Sequence, residues 1–293
     1  MKLHCWTLQE ALAVSRSTRW DHSRNETKAI ALANEAVAFF GKARRLDSIT
    51  TSDVDAYVMH LRKKGNSAGT INRKLNALSA MFSDAIERDG CSKRPRIRRL
   101  AEPQHRIRYL SVAEEMQLLS LFQQWGEKAM REAVVVLIDT GMRRGELFRA
   151  STMDVDAAVN IISIWESKGG VPRSIPMTQR VRSIVSTRCA MGGGLLFPEL
   201  SAEAFRYRWD RARAAMGMAA DKQFVPHALR HTFASRLVQR GVPLFVVQKL
   251  LGHGEIQVTS RYAHLSDREL HQAVDVLQGS VKPEFSAARC SDG

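Results

Sequence analysis

The sequence predicts a mainly α-helical chain of two domains carrying a small antiparallel β-hairpin or sheet, and three observations lead there. Apolar residues recur at three-to-four spacing through most of the 293 residues, which is the signature of amphipathic helices. Only residues 160–177 break that period. There the run NIISIWE, the turn SKGG and the proline-bearing run VPRSIPM read as two short strands, one of them at an edge. Between residues 91 and 108 periodicity lapses, two prolines appear, and Lys93, Arg94, Arg96, Arg98, Arg99, Arg106 and Arg108 crowd together. That stretch reads as a basic linker between a domain at 1–90 and a second at 109–280.

In chain order, Ile30, Ala33, Val37 and Phe40 trace one helical face. Thr51-Ser52-Asp53 starts a helix bearing Val54, Tyr57, Val58 and Leu61, which Gly65 stops. A third helix carries Ile71, Leu75, Leu78, Phe82 and Ile86 and shows Asn72, Arg73 and Lys74 on its opposite face. Three or four helices of this kind suffice for a small independent core. The second domain opens with a capping box, Ser111-x-x-Glu114, followed by the buried run AVVVLI at 133–138 and the break Asp139-Thr140-Gly141. After the hairpin come helices near 178–190 and 202–216, the latter with Arg206, Arg208, Arg211 and Arg213. Phe224–Leu265 then reads as two packed helices joined at Gly241-Val242-Pro243. Ser266-x-x-Glu269 caps a last amphipathic helix (Leu270, Ala273, Val274, Leu277), and 281–293 has the composition of a disordered tail.

Net charge is +14, and it is uneven. Residues 1–108 hold 21 Lys and Arg against 11 Asp and Glu, and the remainder holds 23 against 19. A polyanionic partner follows, and nucleic acid leads because phosphate neutralisation dominates such binding. Arg73, Lys74, Lys93, Arg94, Arg96, Arg98 and Arg99 are the candidate phosphate contacts. No apolar run approaches membrane-spanning length and no secretory leader is evident, so a cytoplasmic protein is expected. Cys5, Cys91, Cys189 and Cys290 are scattered without a C-x-x-C pair, which fits free thiols in a reducing compartment.

The chemistry concentrates in FVPHALRHTFASRLVQRGVPLFVVQKLLGHGEIQVTSRYAHL at 224–265. His227 and Arg230 stand three apart and share a helical face. His231 follows, then Leu251-Gly252-His253, then Tyr262. Cations gathered beside a phenol suit phosphoryl transfer with tyrosine as the nucleophile. Taken singly, each residue is more often a packing or surface group. His227 and His231 also have the four-residue spacing of two zinc ligands, but the zincin pattern wants Glu where Ala228 stands. No metal, and no nucleotide cofactor, is expected.

From about Trp20 to Leu277 the chain resembles the tyrosine recombinase, or phage integrase, family. T-G-M-R-R-G-E at Thr140–Glu146 is similar to that family's first catalytic box, which implies Arg143 as a catalytic arginine buttressed by Glu146. S-K-G-G-V-P-R-S-I-P-M is similar to the family's β-turn and implies Lys168. H-A-L-R-H, L-G-H and R-Y-A-H-L imply His227, Arg230, His253 and the nucleophile Tyr262. A second lysine often found three residues after the first is here Val171, leaving Lys168 as the sole candidate acid in the turn. The extra N-terminal arm-site-binding domain of many phage integrases is not expected.

The resemblance implies a SAM-like N-terminal domain and a site-specific DNA recombinase working through a 3′-phosphotyrosyl bond. It implies His227 as base, Arg143, Arg230 and His253 as donors to the phosphate, and Lys168 as acid to the leaving 5′-oxygen. It also implies duplex core sites as substrate, a tetramer with a Holliday-junction intermediate, and the 266–277 helix docking on a neighbour, though packing on its own core is an equal reading. An accessory bending or directionality protein is a further possible partner. A phage or mobile-element integrase is favoured. A dimer resolvase, a type IB topoisomerase and a DNA-binding regulator with a vestigial site stay open behind it.

Overall fold

Helix α4 (Ala68–Glu87) is the axis of the first unit. The computed structural model describes residues 5–23, 25–102, 107–165 and 172–265, and the chain divides into units Met1–His105 and Arg106–Gly293. Around α4 lie α1 (Leu8–Thr18), α2 (Glu26–Phe40) and α3 (Thr51–Lys63). Capping boxes at Thr7/Glu10 and Thr50/Asp53, and a serine cap at Ser67, satisfy the first amides of α1, α3 and α4. Leu8, Val37, Tyr57, Leu75, Leu78 and Phe82 fill the core between them.

The polar side of α4 departs from its sequence reading. α1 and α2 both pack on α4, so Asn72, Lys74 and Asp84 are 6%, 5% and 2% exposed. Lys74 pairs with Glu35 and donates to Asn66 Oδ1 at 2.9 Å, and Asp84 accepts from Ser15 and Arg19. Lys74 is therefore committed inside the unit rather than offered to a phosphate, while Arg73 stays exposed. Residues 91–102 form neither helix nor strand and lie on this unit. Asn72 pins them through Leu100 N–H (2.8 Å) and C=O (3.0 Å), and Thr51 Oγ1 accepts from the Arg96 amide. Lys93, Arg94, Arg96, Arg98 and Arg99 are left exposed along it.

In the second unit, α6 (Lys128–Thr140) is buried along most of its length. Packed near it are α5 (Val112–Gln124), α8 (Gln179–Ala190), α9 (Ala202–Ala215) and α10 (His227–Gln239). Arg180 ties Asp139 on α6 (2.5 Å) to Glu115 on α5 (2.8 Å), and Arg236 of α10 reaches the same Glu115. The expected hairpin or small sheet is a three-stranded sheet. β1 (Val155–Asp156), β2 (Ile161–Ile164) and β3 (Arg173–Pro176) run antiparallel in that order, with Ile162 opposite Ile175. The turn holding Lys168 and Val171, the helix expected at 266–277 and the tail at 281–293 lie outside the described residues. A short α7 (Arg144–Leu147), then α11 (Leu244–Leu251) and α12 (Ile256–Ser260), complete the unit. Among the described residues no helix is long and apolar enough to cross a membrane.

Candidate active site

The end of α6 sets the first side of the site. Gly141 adopts a left-handed φ of +62°, and any Cβ there would collide with the Phe233 ring. That turn leaves the Gly141 carbonyl facing Arg230 and puts Arg143 at the N-terminus of α7. Glu146, 3% exposed, closes a box by accepting from the Arg143 amide (2.7 Å) and from its Nη1 (2.9 Å). The same carboxylate receives both Nη of Arg173, at 3.2 and 2.7 Å. Burial would push the Glu146 carboxyl up, but the Arg173 fork and the Arg143 donors outweigh it and hold the group below the usual range.

Helix α10 supplies the second side. His227 opens to solvent at its first turn. Arg230, one helical turn on, is 3% exposed and donates to the carbonyls of Gly141 and Leu251, both at 2.6 Å. Burial, with Arg143 and Arg173 nearby, pushes its guanidinium down to about 9, which still leaves it cationic at neutral pH. Desolvation and then Arg230 and Arg143 lower His227.

Gly252, at a left-handed φ of +64°, ends α11 and releases His253 into the cluster. His253 Nδ1 lies 2.9 Å from the buried Thr259 hydroxyl. Its imidazole is pushed down to about 4 by burial and by Arg230, Arg143 and Arg173. Arg143, His227, Arg230 and His253 thus share one field, in which Glu146 is the anion set among the arginines.

Tyr262 is 2% exposed and packs with Ala234, Val238, Val247 and Leu251. Its hydroxyl lies 2.7 Å from Nδ1 of His231, not on His227, whose ring stacks edge-on to that of His231 with centroids 4.7 Å apart. Burial raises the phenol to about 12 and, with His227 and Arg261, lowers His231 to about 3. At neutral pH both groups are uncharged, so a single proton lies between the phenol oxygen and Nδ1, and the His231 tautomer sets which of the two donates it.

The sequence motifs include both His231 and Arg173 without giving either a role. Strand alternation carries a usable signal for the latter: Arg173 lies two residues before the buried Ile175, hence on the inward face of β3. Among the described residues no group of three or more His, Cys, Asp or Glu is placed to hold a metal ion.

Residues 108–269 match the model of the phage integrase family, and residues 30–90 match its N-terminal SAM-like domain. A tyrosine recombinase of Thermosipho africanus is 27% identical over 272 residues, spanning 87% of this chain and 94% of its own. The integrase of Escherichia phage P2 is 28% identical, spanning 80% of this chain and 68% of its own. Among solved structures, the Tn1549 transposon integrase in complex with transposon right end DNA superposes with a TM-score of 0.80 at 24% identity, covering 92% of this chain and 100% of that one.

Proposed function

This chain belongs to the phage integrase family, and from that premise we propose that it is a site-specific DNA recombinase that integrates a mobile or phage genome. The single observation that carries the reading is the cluster of Arg143, Arg230, His227 and His253 beside Tyr262. It gathers positive charge around a phenol and sets one carboxylate, Glu146, within it. The oxygen of Tyr262 attacks a phosphodiester in line, forming a 3′-phosphotyrosyl bond as the bond to the 5′-oxygen breaks. Arg143 and Arg230 donate to the non-bridging oxygens and His253 adds a donor, stabilising the phosphorane without metal or ATP. Lys168 protonates the departing 5′-oxygen, and His227 takes the phenol proton once Tyr262 has left His231. The phosphotyrosine keeps the phosphodiester's bond energy, so a 5′-hydroxyl from a second duplex can reverse the step and exchange strands.

Exchange between two duplexes cuts four strands, and each chain brings one Tyr262, so the working assembly is a tetramer on DNA core sites. The basic strip Lys93–Arg99 and Arg73 hold the phosphate backbone, and the protein works in the bacterial cytoplasm, on the nucleoid, or in a phage-infected host cell. Supercoiled DNA carrying the sequence that flanks the protein's own reading frame provides the test, with EDTA present and ATP absent. A covalent adduct mapping to Tyr262 and to a 3′-phosphate is expected. Tyr262→Phe should bind that DNA normally and form none. Adduct persisting in that variant defeats the assignment, and recombinant rather than merely relaxed products separate recombination from topoisomerase action.

A further inference from the structure

Arg173 stands where the two phosphate arginines are tied together. Its side chain is only 6% exposed. Both Nη bind Glu146, the carboxylate that also holds the amide and Nη1 of Arg143. Its Nε donates to Leu250 C=O at 2.9 Å, and the next carbonyl, of Leu251, binds Arg230. A Cβ on Gly252 would lie 2.8 Å from Arg173 Cδ, so the end of α11 is shaped closely around this side chain. One residue on β3 therefore reaches the α7 support of Arg143 and the α11 support of Arg230 together.

From this geometry we infer that Arg173 is a positioning residue for strand cleavage, holding Arg143 and Arg230 in register through Glu146 and the end of α11. The inference rests on the recombinase reading above. The three contacts leave in different directions from one planar group, which a lysine ammonium on a flexible stem cannot reproduce. Arg173 also shares the charge of Glu146, so that the carboxylate does not fully neutralise Arg143.

The test compares wild type with Arg173→Lys, using DNA cloned from the flanks of the protein's own reading frame. Single-turnover adduct formation, DNA affinity and melting temperature are read side by side. Arg173→Lys should slow adduct formation by about a hundredfold, the scale of an ångström-sized misplacement of catalytic groups, while affinity and melting stay near wild type. Arg173→Gln alone leaves a buried carboxylate short of a partner and should melt lower, so it is paired with Glu146→Gln. In the Glu146→Gln background, adding Arg173→Gln should cost clearly less rate than it does alone, because the Glu146 arm of its action is already gone and only the α11 arm remains. A rate loss that tracks affinity and melting, or full additivity in the paired variant, overturns the inference in favour of a merely structural role. An unchanged rate in Arg173→Lys beside active wild type sinks the inference alone. Wild type that forms no adduct sinks the recombinase reading, and the inference falls with it.

Discussion

At the scale of single residues, the His231–Tyr262 pair has a consequence for pH dependence. His231 and His253 titrate near 6.5 when unconstrained and at about 3 and 4 in the folded chain. Between those values the unfolded chain binds more protons, so stability falls as pH drops through that window and is level above it. Tyr262 is shifted the other way, from 10.0 to about 12. Stability therefore also falls as pH rises through that interval, where the unfolded phenol has already ionised. His231→Phe keeps a ring but removes the hydrogen-bond partner, leaving a buried hydroxyl unpaired at a cost of about 1–3 kcal/mol. Urea unfolding between pH 4 and 8 should show a lower midpoint at pH 7 and a shallower acid decline, and an unchanged midpoint at pH 7 counts against the pairing. The types and order of the motif residues Arg143, His227, Arg230, His253 and Tyr262 are legible in the sequence because each sits in a short local pattern. Apart from Glu146, expected beside Arg143, their partners are not. Glu146 with Arg173, and Tyr262 with His231, join residues 27 and 31 positions apart, and only the folded chain sets such pairings.

Among the elements, the helices that alternate cleanly between apolar and polar faces could be read directly, as could the capping box that starts α5. α4 misleads because it is covered on more than one side. Of the polar face read in sequence as Asn72, Arg73 and Lys74, only Arg73 stays exposed; Asn72 and Lys74, with Asp84, form the internal polar contacts to α1, α2 and the 91–102 segment. The helix α1 had its own signal in the Thr7/Glu10 box. In the second unit, the α6 terminus depends on a residue that tolerates positive φ with no side chain toward Phe233. Gly141→Ala should therefore cost roughly 2 kcal/mol or more, from left-handed strain plus displacement of that ring. It should also weaken adduct formation, because the Gly141 carbonyl anchors Arg230. Thermal melting and single-turnover cleavage measure the two effects, and a neutral substitution would show that the turn has slack the packing does not reveal.

For the whole molecule, the charge asymmetry separates two contributions to DNA binding. The exposed strip Lys93, Arg94, Arg96, Arg98 and Arg99, with Arg73, belongs to the first unit, while the candidate catalytic cluster belongs to the second. A protein spanning only residues 106–293 should bind DNA more weakly than the full chain. Its log affinity should also fall less steeply with log salt, by about one unit of slope for each phosphate that is no longer neutralised. Equal slopes in a salt titration would mean that the strip leaves the backbone phosphates untouched. A recombinase meets vastly more foreign DNA than target while it searches a chromosome, and an always-ready nucleophile would nick wherever it paused. With Tyr262 sheathed in an apolar cluster and tethered to a neutral imidazole, its hydroxyl must leave that pocket before it can meet a phosphate, so the resting fold itself guards against stray nicking.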